Sequence, residues 1–167
     1  MSERASDLPH PSSAPIVPTS MGEAPELTEL LCFDIYAASR AITGVYRTVL
    51  APWGLTYPQY LVLVVLGREK SCTIKYLGEA LQLDYGTLTP LLRRMETGGL
   101  LNRRRGTADE RVVTLELTEE GRKLAVRTGD VQQKIRAAVG LGEQEASALQ
   151  ATLRSITRSV REHADTD

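Results

Sequence analysis

The chain has 167 residues, 42% hydrophobic and 25% charged, with a net charge of −1 and two cysteines, Cys32 and Cys72. That length suffices for one packed core, two thiols supply neither a disulfide framework nor a zinc cluster, and no apolar run reaches the roughly 18 residues of a membrane span. Charge is unevenly placed: residues 1–30 hold five acids against Arg4, while Leu91 to Arg105 holds five arginines against Glu96, a local basic run of the kind that meets nucleic acid.

Glu3 and Asp7 stand where a secretory signal carries basic residues. A cytoplasmic protein with reduced thiols, no metal, no cofactor and no membrane contact is expected. Residues 1–24, with Pro9, Pro11, Pro15 and Pro18 among Ser and Ala, lack the apolar surface to offset ordering entropy and read as a disordered tail. The folded domain is expected over 25–165.

From about Leu27 to Leu50 the apolar positions Leu31, Ile35, Ala38, Ile42, Val45 and Val49 step by four and three, one face of a helix that Pro52 ends. Thr56 suits the cap of a second helix with Pro58 in its first turn, and Leu61 to Leu66 reads as its buried part, closed by Gly67. A short helix from Thr73 carries Ile74, Leu77 and Leu81 on one side. After Gln82-Leu83, Asp84 caps another with Leu88, Leu91, Leu92 and Met95 inward. Two short helices joined by a tight turn form a helix-turn-helix pattern.

Pro90 breaks a local rule, since six residues past the cap it removes a bond to Gly86 at a cost of about 3 kcal/mol in a regular helix. Either the helix bends there or it starts later. Gly98-Gly99 stops it. Leu100 to Arg105 and Arg111 to Leu117 then read as two strands, because Val113, Leu115 and Leu117 alternate with polar neighbours. Thr118 opens a helix to about Val139, Gly140-Leu141-Gly142 breaks the chain, and a last helix runs from Glu143 to about Glu162. The fold class is mainly α with a small β-hairpin wing: a winged helix-turn-helix with terminal helices, the DNA-reading part spanning about 55–118.

In sequence and spacing, Leu31-Cys32-Phe33, Leu55 to Val62, Leu83-Asp84, Gly86 to Leu92, Asp109-Glu110-Arg111 and Leu117-Thr118 resemble the MarR-type transcription regulators, and among them the organic-hydroperoxide-sensing repressors. The likeness runs from about Leu31 to Gly121. It implies a homodimer whose helices, here about 27–50 and 119–162, interlock, with a reader helix in the major groove of a roughly palindromic DNA operator and a wing near the minor groove. On the reader helix Tyr85, Thr87, Thr89, Arg93 and Arg94 face outward as DNA-binding candidates. Arg103, Arg104, Arg105 and Arg111 belong to the wing strands or their ends and suit a narrow minor groove.

The resemblance also makes Cys32 the redox sensor. A thiolate attacks a peroxide O–O bond, whereas a free cysteine with a pKa near 8.5 is mostly thiol, so donors must stabilise the anion. Tyr36 and Tyr46, four and fourteen residues on, return close to the same helix face as Cys32. In similar proteins the tyrosines matching Tyr46 and Tyr57 come from the opposite subunit and bond the reactive sulfur, with Tyr36 a local helper. Apolar Leu31, Phe33 and Ile35 favour an organic hydroperoxide as the signal.

Relatives with an intersubunit disulfide carry a second cysteine after the wing, and 130–145 holds none. The expected route is therefore capture of oxidised Cys32 by a small cellular thiol, with Cys72 a buried filler. The resemblance implies a hydroperoxide-detoxifying enzyme as the regulated target. Two other readings stand: a regulator of this fold controlled by a small phenolic or aromatic ligand without cysteine oxidation, and a thiol peroxidase. The enzyme reading lacks a CxxC pair, and its only histidines are His10 and His163.

Overall fold

The computed structural model describes residues 25–105 and 113–164. The tail expected over 1–24, and the wing tip with Arg111, lie outside the described residues. Two compact units divide the chain at Arg40. The first holds a 3-10 turn, Leu27–Glu29, and the opening half of α1 (Leu31–Leu50). Its apolar side chains are half-buried at Phe33 and Ile35 and open at Leu31.

In the second unit a 3-10 turn through Pro52 follows α1, and Gly54, at φ 63°, supplies the left-handed residue that redirects the chain. α2 (Tyr57–Glu69) starts as expected: Gln59 Oε1 accepts from the Thr56 N–H at 2.8 Å and from its hydroxyl at 3.1 Å, and Pro58 sits in the first turn. Gly67 does not close it. The helix runs on to Glu69, and Gly67 serves as a point of close approach, since a Cβ there would sit 3.1 Å from that of Ala125.

Ser71–Thr73 form a strand, β1, that the sequence reading missed. It pairs antiparallel with β3 through Cys72 opposite Leu115. Thr73 then caps α3 (Ile74–Leu81), accepting the Tyr76 N–H at 3.1 Å. Gln82, at φ 57°, makes the turn into α4 (Tyr85–Thr97). Proline and all, α4 starts at Tyr85 and is one helix.

β2 (Leu101–Arg105) and β3 (Val113–Leu117) pair in register Leu101 to Leu117 through Arg105 to Val113, giving the sheet order β1-β3-β2. The expected helix from Thr118 to Val139 is two helices, α5 (Glu119–Val126) and α6 (Thr128–Val139). Arg127, at φ −83° and ψ −1°, forms a turn between them, and the Thr128 hydroxyl donates to the Ala125 carbonyl at 2.7 Å. Gly140, at φ 71°, ends α6 before α7 (Glu143–Ala164). Three helices, not two, therefore follow the wing.

The core centres on Leu50, Leu63, Leu66, Leu77, Leu88, Leu92, Met95, Leu101 and Leu115, each side chain fully buried. It locks the sheet onto α2 and α4. Gly121 is forced by the same packing, because a Cβ there would collide with the Leu100 carbonyl. No single helix among the described residues is long and apolar enough to cross a membrane.

Candidate functional site

Two sets of residues carry the functional expectations. The first is the face of α4. Asp84 fixes its start: Oδ1 accepts the Thr87 N–H at 2.7 Å and Oδ2 the Thr87 hydroxyl at 2.8 Å, and these bonds hold the Asp84 carboxyl below its ordinary pKa. With Leu88, Leu91, Leu92 and Met95 buried, the opposite face is open and presents Tyr85, Thr87, Arg93 and Arg94. Tyr85 is 70% exposed. Thr89 is half-buried, its hydroxyl donating to the Tyr85 carbonyl at 2.8 Å.

The wing arginines divide. Arg103 is turned back onto α4: Nε lies 3.1 Å from Glu96 Oε2, an ion contact without hydrogen-bond alignment, and Nη2 donates to the Thr89 carbonyl at 3.4 Å. Arg104 is open and pairs across the strands with Glu116 at 3.3 Å. Arg105 pairs with Val113 at the end of β2, and Arg111 lies outside the described residues. Arg122, which the sequence reading did not single out, donates to the Leu117 carbonyl at 2.8 Å and ties α5 to the base of the wing.

The second set surrounds the thiol chemistry. Cys32 is exposed, in the first turn of α1, the positive end of a helix. Tyr36 is also exposed and accepts a bond from Arg40 at 3.0 Å, with the guanidinium over its ring. Cys72 is half-buried on β1, and burial together with the Glu69 carboxylate pushes its thiol pKa up, away from the reactive anion.

In the second unit Tyr46 and Tyr57 stand together, ring centroids 4.3 Å apart. Tyr60 completes the group at 5.3 Å from Tyr46 and 6.3 Å from Tyr57. Tyr60 was missed, although its position three residues after Tyr57 on α2 was a signal. The Tyr46 hydroxyl donates to Gln132 Oε1 at 3.1 Å and that of Tyr60 to the Thr128 carbonyl at 3.4 Å. Burial and the adjacent phenols raise the Tyr46 pKa far above its ordinary value, while burial chiefly raises those of Tyr57 and Tyr60. All three are neutral hydrogen-bond donors at physiological pH. Arg127, at the α5–α6 break, stacks on Trp53 with its guanidinium 4.8 Å from the ring centroid.

Among the described residues no group of three or more His, Cys, Asp or Glu is placed to hold a metal ion.

With this geometry in place, comparison with known proteins gives a consistent result. A family model described as "Transcriptional regulator SarA/Rot" matches residues 45–127. An organic hydroperoxide resistance transcriptional regulator of Bacillus subtilis is 44% identical over 124 residues, 74% of this chain and 82% of that protein. The HTH-type transcriptional regulator TtmR of Methylorubrum extorquens is 41% identical over 138 residues, 83% of this chain and 71% of its own length. Among solved structures, reduced AbfR bound to DNA superposes with a TM-score of 0.68 at 30% identity, covering 81% of this chain and 93% of that one. Overoxidised AbfR bound to DNA gives a TM-score of 0.65 at 31% identity, covering 79% and 93%.

Proposed function

The chain belongs to the MarR-type transcription regulators, on their organic-hydroperoxide branch, and from that membership we propose that it is a homodimeric, cytoplasmic repressor that leaves its operator when an organic hydroperoxide oxidises Cys32. It is a DNA-binding regulator of the winged-helix kind. The redox step, the dimer and the residue roles are our reading.

The observation that carries the redox reading is the contrast between the two thiols. Cys32 is exposed on the positive end of a 20-residue helix, while Cys72 is half-buried beside a carboxylate that opposes its ionisation. In the proposed step the Cys32 thiolate attacks the outer oxygen of the hydroperoxide. The S–O bond forms, the O–O bond breaks, and the alkoxide takes up a proton to leave as an alcohol, so sulfur is oxidised to sulfenic acid and the peroxide is reduced. A small cellular thiol then displaces the hydroxyl as water and leaves a mixed disulfide.

Fourteen residues of α-helix rise about 21 Å, beyond the reach of a phenol, so Tyr46 cannot bond Cys32 along a shared helix. Tyr46 and Tyr57 of a second subunit serve instead. The second copy is supported by Ile42 on α1 and by Leu149, Leu153 and Val160 on α7, apolar side chains left open in a single chain. In the dimer Tyr85, Thr87, Thr89, Arg93 and Arg94 of each α4 meet the major groove, with Arg104, Arg105 and Arg111 of the wing at its flank. Arg103 reaches the same surface through its brace on Glu96.

The deciding experiment is fluorescence anisotropy on DNA upstream of the protein's own gene, with and without one equivalent of an organic hydroperoxide. Wild type is expected to be released and Cys32→Ser to stay bound. Peroxide-induced release of both, or failure of wild type to bind, removes the thiol reading. Release of Cys32→Ser by a phenolic compound transfers the control to a ligand. Cys72→Ser is expected to respond like wild type.

A further inference from the structure

A phenol has one hydrogen to donate, and in this structure that of Tyr46 is already committed. It goes to Gln132 Oε1 at 3.1 Å, on the second turn of α6, one turn beyond the Thr128 carbonyl that the Tyr60 hydroxyl reaches at 3.4 Å. The Tyr46 and Tyr60 rings pack against each other, 5.3 Å between centroids, so Gln132, Tyr46, Tyr60 and Thr128 form one chain of contacts joining α1, α2 and the start of α6. Gln132 is exposed, whereas its neighbours on the buried face of α6 are Val131 and Ile135. Its amide is therefore not part of the core packing, and its place in the chain is a matter of hydrogen bonding.

We propose that Gln132 is a positioning residue that competes with the Cys32 thiolate for the Tyr46 hydrogen, making α6 a receiver of the redox state of the sulfur. This rests on the reading of Cys32 as sensor and Tyr46 as its donor. A bond to an anion is roughly twice as strong as one to a neutral amide, so the thiolate takes the hydrogen and Gln132 is released. Oxidation to the sulfenic acid, or to the mixed disulfide, removes that charge, and the hydrogen returns to Gln132. Oxidation is then felt at α6 as a bond gained, not only at the sulfur as a bond lost. α6 directly follows α5, whose Arg122 holds the Leu117 carbonyl at the base of the wing, so the gain acts next to the DNA-reading half.

The test follows ionisation of Cys32 in the full chain, by ultraviolet absorbance of the thiolate and by its alkylation rate against pH, in a Cys72→Ser background so that one thiol reports. Tyr46→Phe is expected to raise the midpoint. Gln132→Leu is expected to lower it by about half a pH unit, which is about threefold more thiolate below the midpoint. Gln132→Asn, too short to reach, is expected to move in the same direction. In a Tyr46→Phe chain, Gln132→Leu is expected to change nothing.

A midpoint unmoved by Gln132→Leu, with Tyr46→Phe still shifting it, overturns the competition and leaves the sensor reading in place. A Gln132→Leu shift that persists in Tyr46→Phe also overturns it. No shift from Tyr46→Phe removes the donor role itself and the competition with it.

Discussion

The region around α4 and the region formed by α7 are written with the same apolar periodicity and use it differently. On α4, Leu88, Leu91, Leu92 and Met95 are all buried. On α7 no residue is buried, and Leu149, Leu153 and Val160 lie open. The opening half of α1 resembles α7, with Leu31 exposed and Ile35 only half covered. The region around α4 thus completes its core inside one chain, whereas the terminal helices carry apolar faces that a single copy leaves uncovered. Periodicity of this kind identifies a face to be buried but not the molecule that buries it.

The largest effects separate these two uses. Leu92→Ala removes a fully buried side chain from the reader core and is expected to cost about 2–5 kcal/mol in chemical unfolding. Leu149→Asp with Leu153→Asp empties no core. It is expected to leave the chain helical by circular dichroism while halving the mass in sedimentation equilibrium and abolishing operator binding. A double variant that sediments like wild type removes α7 from the proposed interface.

A smaller effect sharpens the comparison within the region around α4 and the wing. Arg94 is open on α4 and makes no ion pair among the described residues, whereas Arg103 contacts Glu96 at 3.1 Å and the Thr89 carbonyl. Arg94→Ala is expected to weaken operator binding by about 1–3 kcal/mol if it reads a base, or to lower the salt slope by about 1 if it meets a phosphate. For Arg103 the expected role is bracing. Glu96→Ala should then weaken binding as Arg103→Ala does, and the double variant should add little. Binding untouched by Glu96→Ala makes Arg103 a direct contact.

The sequence was most legible where structure obeys local rules. Thr56 and Asp84 as caps, Gly98-Gly99 and Gly140 as stops, and the four inward residues of α4 depend on neighbours within a turn. The misses depend on distant partners. Ser71–Thr73 is too short to show alternation and is a strand because β3 lies beside it. Gly67 looked like a stop because its reason for being glycine, the approach of Ala125, lies 58 positions away. Arg127-Thr128 contains no conventional breaker. Pro90 is the converse case: the local rule predicted trouble, and the buried leucines around it keep α4 whole. For the site, Tyr46 and Tyr57 were visible as residue types and Tyr60 was readable from its spacing to Tyr57, but Gln132 gained meaning only when α1 and α6 were brought together.

The smallest expected effect tests one of those legible local rules. The bonds from Thr87 hold the Asp84 carboxyl below its ordinary pKa, so the native state prefers the ionised form more than the unfolded chain does. The sign follows: this contribution is fully present above the unfolded value of about 3.9 and is lost as the pH falls through the lower native value. Asp84→Asn keeps an oxygen that can accept the Thr87 N–H but has no charge to titrate. Wild type is therefore expected to lose stability relative to Asp84→Asn as the pH is lowered from 5 toward 2, measured as the difference in urea midpoint at each pH. Because the group is at the surface the difference is small, and it should shrink further with added salt. A constant gap across that range means that the cap acts through geometry alone and that the start of α4 owes nothing to the charge.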